Sequence, residues 1–85
     1  MNRGNKQFKE LVQTLLEIDT PEKMQNFLEG ILTPKEIEEI PMRLQIVKLL
    51  KDGTPQHKIA EDLGIGVATV TRGSKELKRK KFKYI

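Results

Sequence analysis

The side chains able to do chemistry in this 85-residue chain are mostly cations, and they are unevenly placed. Residues 41–85 hold eleven Lys/Arg against four Asp/Glu, whereas residues 1–40 hold five against eight. The basic half is suited to a polyanion, with Lys58, Lys75, Lys78, Arg79, Lys80, Lys81 and Lys83 as candidate phosphate contacts. Catalytic equipment is scarce by comparison. His57 is the single histidine and there is no cysteine, so thiol nucleophiles, disulfides and zinc ribbons are excluded. One imidazole among scattered carboxylates assembles neither a hydrolytic centre nor a metal site. No enzyme, no metal and no covalent cofactor are expected, and His57 reads as a solvent-exposed polar residue.

Between Gln56 and Arg72 the chemistry changes from charge to fit. Ala60 permits two helices to approach closely, Gly64 supplies a left-handed turn that a Cβ would penalise, and Ile59, Leu63, Ile65 and Val70 fall where plugs onto a core are needed. This is the spacing of a DNA-binding helix-turn-helix. Its second helix would present Gly66, Val67, Ala68, Thr69 and Thr71, short side chains that allow close approach to thymine methyls and base edges. Gln56, Lys58, Lys75 and Lys78 complete the expected DNA-binding set.

These residues must be held by helices. Phe8, Leu11, Val12, Leu15, Leu16 and Ile18 recur at helical spacing and predict a helix over 5–18. Thr20 and Pro21 restart the chain into a helix ending near Glu29, where Gly30 is the expected terminator. Thr33, Pro34 and Glu36 form a capping box for a third helix, and Pro41 should break it at Ile40. Met42, Leu44, Ile46, Val47, Leu49 and Leu50 then make the most apolar helix, expected at the centre of the core. Gly53, Thr54 and Pro55 predict another stop, cap and restart, followed by helices near 55–62 and 67–80. The expectation is an all-α protein of about six helical pieces. It is read as one domain, with residues 1–53 as core and dimerisation region and 54–85 as helix-turn-helix and basic tail. In that tail, Lys78–Lys83 form either a DNA-backbone clamp or a solvated end that Phe82 and Tyr84 fold back. No apolar run approaches the ~18–20 residues that cross a bilayer, and the N-terminus lacks a secretion-type apolar stretch. A cytoplasmic protein is expected. A core of this size is marginal alone, which predicts a partner subunit.

The stretch Ile65-Gly66-Val67-Ala68-Thr69-Val70-Thr71-Arg72-Gly73-Ser74, with Leu32-Thr33-Pro34, Arg43 and Ile46-Val47 before it in order, resembles the tryptophan repressor family over about residues 31–78. The resemblance implies an intertwined homodimer that binds a palindromic DNA operator, with L-tryptophan as a corepressor bridging the subunits. It also implies that Arg43 and Arg72 sandwich the indole ring, that one of them holds the ligand carboxylate, and that Thr33 assists. Backbone carbonyls near Gly30 and Leu32 would receive the ligand ammonium, and Gly73 would leave room beside the ring. Guanidinium planes suit this task, since they stack on aromatic faces and pair with carboxylates. Glu76 stands where better-known members have a serine, and its carboxylate is placed to pair with the ammonium or to change which ligand is accepted. The segment from Val47 to Gln56 is one residue shorter, as in a second branch of the family. The sequence also stops at Ile85, before the last helix that better-known members use in dimerisation, so a smaller, differently built or weakened dimer is expected.

Plainer roles accompany several of these residues. Arg43 follows Glu39 by four residues, the spacing of a helical ion pair, Arg72 is suited to a phosphate, and Thr33 is explicable as a cap alone. Met24 and Phe27 read as core or interface residues. The rival functions are a ligand-independent DNA-binding or architectural protein, and a helical protein-interaction adaptor.

Overall fold

The computed structural model describes residues 2–85, with side chains from residue 4 onward. It contains five helices and no strand among the described residues: α1 (Asn2–Glu17), α2 (Pro21–Ile31), α3 (Pro34–Lys51), α4 (Gln56–Leu63) and α5 (Val67–Lys78). Local chemistry accounts for most of their ends. The Thr20 hydroxyl accepts from Lys23 N at 3.2 Å, with Pro21 in the first turn, where a missing amide hydrogen is harmless. Thr33 and Glu36 cap each other reciprocally: Thr33 N donates to Glu36 Oε1 at 2.9 Å, and Glu36 N donates to Thr33 Oγ1 at 3.2 Å.

Three turns share one hydrogen-bond pattern, in which a left-handed residue lets two amides satisfy the last helical carbonyls. After α3, Gly53 (φ 87°) donates to Leu50 O and Thr54 N donates to Leu49 O. After α4, Gly64 (φ 66°) donates to Glu61 O and Ile65 N donates to Ala60 O. The third follows α5 and uses Lys80 (φ 63°), whose amide donates to Leu77 O while Lys81 N donates to Glu76 O. The first two were legible as glycines, whereas the third is formed by a residue type that normally avoids this conformation.

Four local expectations need correction. Pro41 does not break the chain, because α3 is helical from Pro34 to Lys51 with Pro41 inside it. The proline removes one amide donor, but the capped start and the buried Ile46 and Val47 lie on either side of it and favour continued helix. Five helices therefore replace six. Gly30 does not end α2, which runs through Ile31 to an extended C-cap at Leu32, whose amide donates to Leu28 O. Pro55 is the N-cap of α4 rather than its first residue, since its ψ of 146° is extended, and Thr54 makes no side-chain cap. Finally, Leu44 points away from the core and is 43% exposed.

The residues through Ile37 and the residues Glu38–Ile85 form two compact units, divided within α3. In the second unit Ile46, Ile59 and Val70 are buried at the centre, and Met42, Leu49, Leu50, Ala60, Leu63 and Ile65 pack around them. Each of the three helical segments in this unit thus supplies one central side chain. In the first unit no described residue is buried. Met24, Phe27 and Leu28 are half-buried, while Phe8 and Leu16 are largely in water. No helix among the described residues is long and apolar enough to cross a membrane.

Candidate functional site

Successive residues of an α-helix are rotated by about 100°, and this divides α5 into three stripes. Val70, Gly73 and Leu77 turn inward. Val70 is fully buried, and a Cβ on Gly73 would stand 3.2 Å from Ile46 Cγ2 and 3.5 Å from Leu50 Cδ1. Glycine at 73 thus suits the close approach of α5 to α3, where a larger residue would press on the Ile46 side chain, a packing role that the resemblance did not suggest.

Val67, Thr71, Lys75 and Lys78 form a second stripe, within roughly 80° of arc. Val67 and both lysines are exposed, and Gly66 caps the helix just before them without a side chain. Thr71 is half-buried; its Oγ1 donates to Gln56 Oε1 at 2.8 Å and lies 3.0 Å from Val67 O. Gln56 and Thr71, expected separately as DNA contacts, therefore tie the first turn of α4 to α5. Lys58 extends from α4 and pairs with Asp62 at 3.4 Å on an exposed surface. Such pairs contribute about 0–1 kcal/mol, so the ammonium is readily given to a phosphate.

The third stripe is concave. Ala68, Thr69, Arg72, Gly73 and Glu76 line one side of a hollow of about 810 Å³ within the second unit. Glu38, Glu39, Met42, Arg43, Ile46 and Val47 of α3 line the other, with Ile65 and Phe82 completing it. Ala68 and Thr69, expected on the DNA-facing surface, thus also border the hollow. Arg43 and Arg72 both line it, and among the described residues neither guanidinium makes an ion pair or hydrogen bond. The Glu39–Arg43 ion pair is not formed. Glu76 Oε2 stands 3.4 Å from Arg79 Nη1, and the Glu76 side chain remains 34% exposed. The lining therefore offers guanidiniums for a carboxylate, carboxylates for an ammonium, and an apolar floor.

Thr33 is not among the lining residues; it lies in the first unit, engaged in the α3 cap. His57 is exposed, and among the described residues no cluster of His, Cys, Asp or Glu is arranged to hold a metal ion. Phe82, Met42 and Glu38 were missed as lining residues. Met42 and Glu38 are four residues before Ile46 and Met42 respectively, so helical periodicity could have found them once the inward face of α3 was known. Phe82 was expected only as one of two aromatics able to fold the tail back; of the two, Phe82 turns inward and Tyr84 does not.

The model of a family described as Trp repressor protein matches residues 6–85. A Trp operon repressor homolog of Actinobacillus succinogenes is 38% identical over 79 residues, covering 92% of this chain and 78% of that protein. One from Photobacterium profundum is 41% identical over 73 residues, covering 85% of this chain and 71% of that protein. A third, from Vibrio vulnificus, is 49% identical over a shorter stretch of 51 residues, 59% of this chain and 50% of that protein. No solved structure matches the chain. With the family match spanning nearly its whole length, this chain belongs to the Trp repressor family.

Proposed function

We propose that this chain is a DNA-binding transcriptional repressor, acting in the cytoplasm as a homodimer and using L-tryptophan as corepressor. The observation that carries the reading is the shared helix. The hollow with two unpaired guanidiniums and the exposed stripe Val67–Thr71–Lys75–Lys78 are adjacent sides of α5. A ligand seated in the hollow would bear on the orientation of the helix offered to the major groove.

The residues fit a zwitterion with a flat apolar side chain. Arg43 and Arg72 supply planar cations for a carboxylate and for an aromatic face. Glu76 is available for the ammonium, and Met42, Ile46 and Val47 provide apolar contact. Bound L-tryptophan would contribute a carboxylate, an ammonium and an indole ring; the protein's own part is to hold α5. Lys58, Lys75 and Lys78 position the protein on phosphates, while Gly66, Val67, Ala68, Thr69 and Thr71 present short side chains to base edges. Gln56 supports Thr71 from α4. Exposed Phe8, Val12 and Leu16, at four-residue intervals on α1, supply the face for a second copy, whose Thr33 would complete the ligand site.

Titration calorimetry of L-tryptophan into the protein tests the reading. Saturable binding at one ligand per chain, lost in the Arg43→Ala/Arg72→Ala double variant, is expected. An absence of heat at two temperatures, with dimer established by light scattering, would leave a ligand-independent DNA-binding protein.

A further inference from the structure

The segment after α5 carries two aromatic residues and treats them oppositely. Phe82 is half-buried and lines the hollow, whereas Tyr84 is 87% exposed and has Lys83 Nζ 5.2 Å from its ring centroid. Two features bring Phe82 inward. The left-handed turn at Lys80 reverses the chain, held by Lys80 N to Leu77 O at 2.9 Å and Lys81 N to Glu76 O at 3.2 Å. Lys51, in the last turn of α3, then reaches across the sequence: its ammonium donates to the backbone oxygens of Phe82, at 2.6 Å, and Ile85. A lysine in the left-handed region is disfavoured by its Cβ, so the turn persists because other contacts of the segment favour it.

We infer that Phe82 is a specificity-determining wall of the hollow, and that Lys51 is the positioning residue that holds it there. This rests on the amino-acid-binding reading proposed above and assigns part of the ligand selection to the segment beyond the helix-turn-helix. Among the described residues lining the hollow, Phe82 is the only aromatic one. The apolar part of the α3 side, Met42, Ile46 and Val47, is flexible methionine and aliphatic carbon, which adapts to many shapes, whereas an aromatic ring is rigid and sets the width available to a flat side chain. The charged groups fix the amino-acid end of a ligand; Phe82 limits its ring. The same segment carries Arg79, the ion-pair partner of Glu76.

Calorimetry with L-tryptophan, a panel of ring-methylated tryptophans and L-leucine, on wild type, Phe82→Ala, Phe82→Leu, Lys51→Met and Lys51→Arg, tests the inference. Circular dichroism establishes that each variant is folded. Phe82→Ala should weaken L-tryptophan about tenfold and shift the order of preference toward the methylated rings, with Phe82→Leu between it and wild type. Lys51→Met should shift the preference in the same direction by about threefold, with Lys51→Arg restoring it. A loss of affinity equal for every ligand would indicate a merely structural role and overturn the inference. Wild-type affinities retained in Phe82→Ala would overturn it while leaving the amino-acid site standing. Failure of wild type to bind any of these ligands would overturn the amino-acid site and the inference together.

Discussion

The two units of the chain use similar apolar side chains to opposite effect. In Glu38–Ile85, Ile46, Val47, Ile59 and Val70 are at most 2% exposed, and six further apolar residues pack around the central three. In the unit ending at Ile37, Leu16 is 75% exposed and Phe8 63%, and no described residue is buried. The helices of the first unit are no less well specified, since Thr20 caps α2 and α1 carries a regular apolar stripe. What differs is the surface those stripes meet. A helix face whose apolar residues lie in water gains little from folding. The second unit holds its own core, and the first leaves its apolar stripe exposed.

Breaking the second unit should have the largest effect. Ile59→Ala removes a fully buried side chain from the point where α3, α4 and α5 meet, and should destabilise by about 2–5 kcal/mol, read as a shift in urea midpoint. Leu16→Asp tests the first unit. On an isolated chain an exposed substitution changes stability by about 0.5 kcal/mol or less, but if a second copy covers Leu16 the lost burial is about 1.5–3 kcal/mol per chain. Sedimentation should then show monomers at concentrations where the wild type is dimeric.

Smaller effects sharpen the account of the turns. Gly64→Ala places a Cβ at φ 66° with open space around it, so the cost is purely conformational. About 1–2 kcal/mol is expected, measured by thermal unfolding at fixed protein concentration. Lys80→Gly is the opposite case. Relieving the φ of 63° should stabilise the protein by up to about 1 kcal/mol if the turn is retained. The comparison of Gly64 with Lys80 thus asks whether two turns with the same hydrogen bonds carry opposite strain.

What was legible in the sequence was local or was carried by resemblance. The Thr33–Glu36 cap, the turns at Gly53 and Gly64, and the inward positions of Ile59 and Val70 depend on residues a few positions apart, and spacing alone exposes them. The continuity of α3 across Pro41 was not legible, because it depends on the packing that the rest of the helix obtains. Arg43, Arg72 and Glu76 were named through family resemblance, and the structure brings all three to one hollow. For Phe82 the sequence offered a folded-back tail as one of two readings without choosing between them, since its place depends on Lys51, 31 residues earlier, and on a turn at a lysine. The Gln56–Thr71 hydrogen bond spans 15 residues, a distance at which residue patterning places each side chain separately and gives no sign that they meet.

The hollow and the proposed DNA-facing stripe, as two sides of α5, are expected to be energetically coupled. The direct measurement is the affinity of the protein for a duplex selected from random sequence, titrated by fluorescence anisotropy with and without saturating L-tryptophan, together with the affinity for L-tryptophan with and without that duplex. Linkage requires the two ratios to be equal, and a coupling of about 5–150-fold is the usual range. Tighter DNA binding with L-tryptophan, by the same factor in both titrations, is expected. Sequence-selective binding that is the same with and without bound L-tryptophan would contradict it.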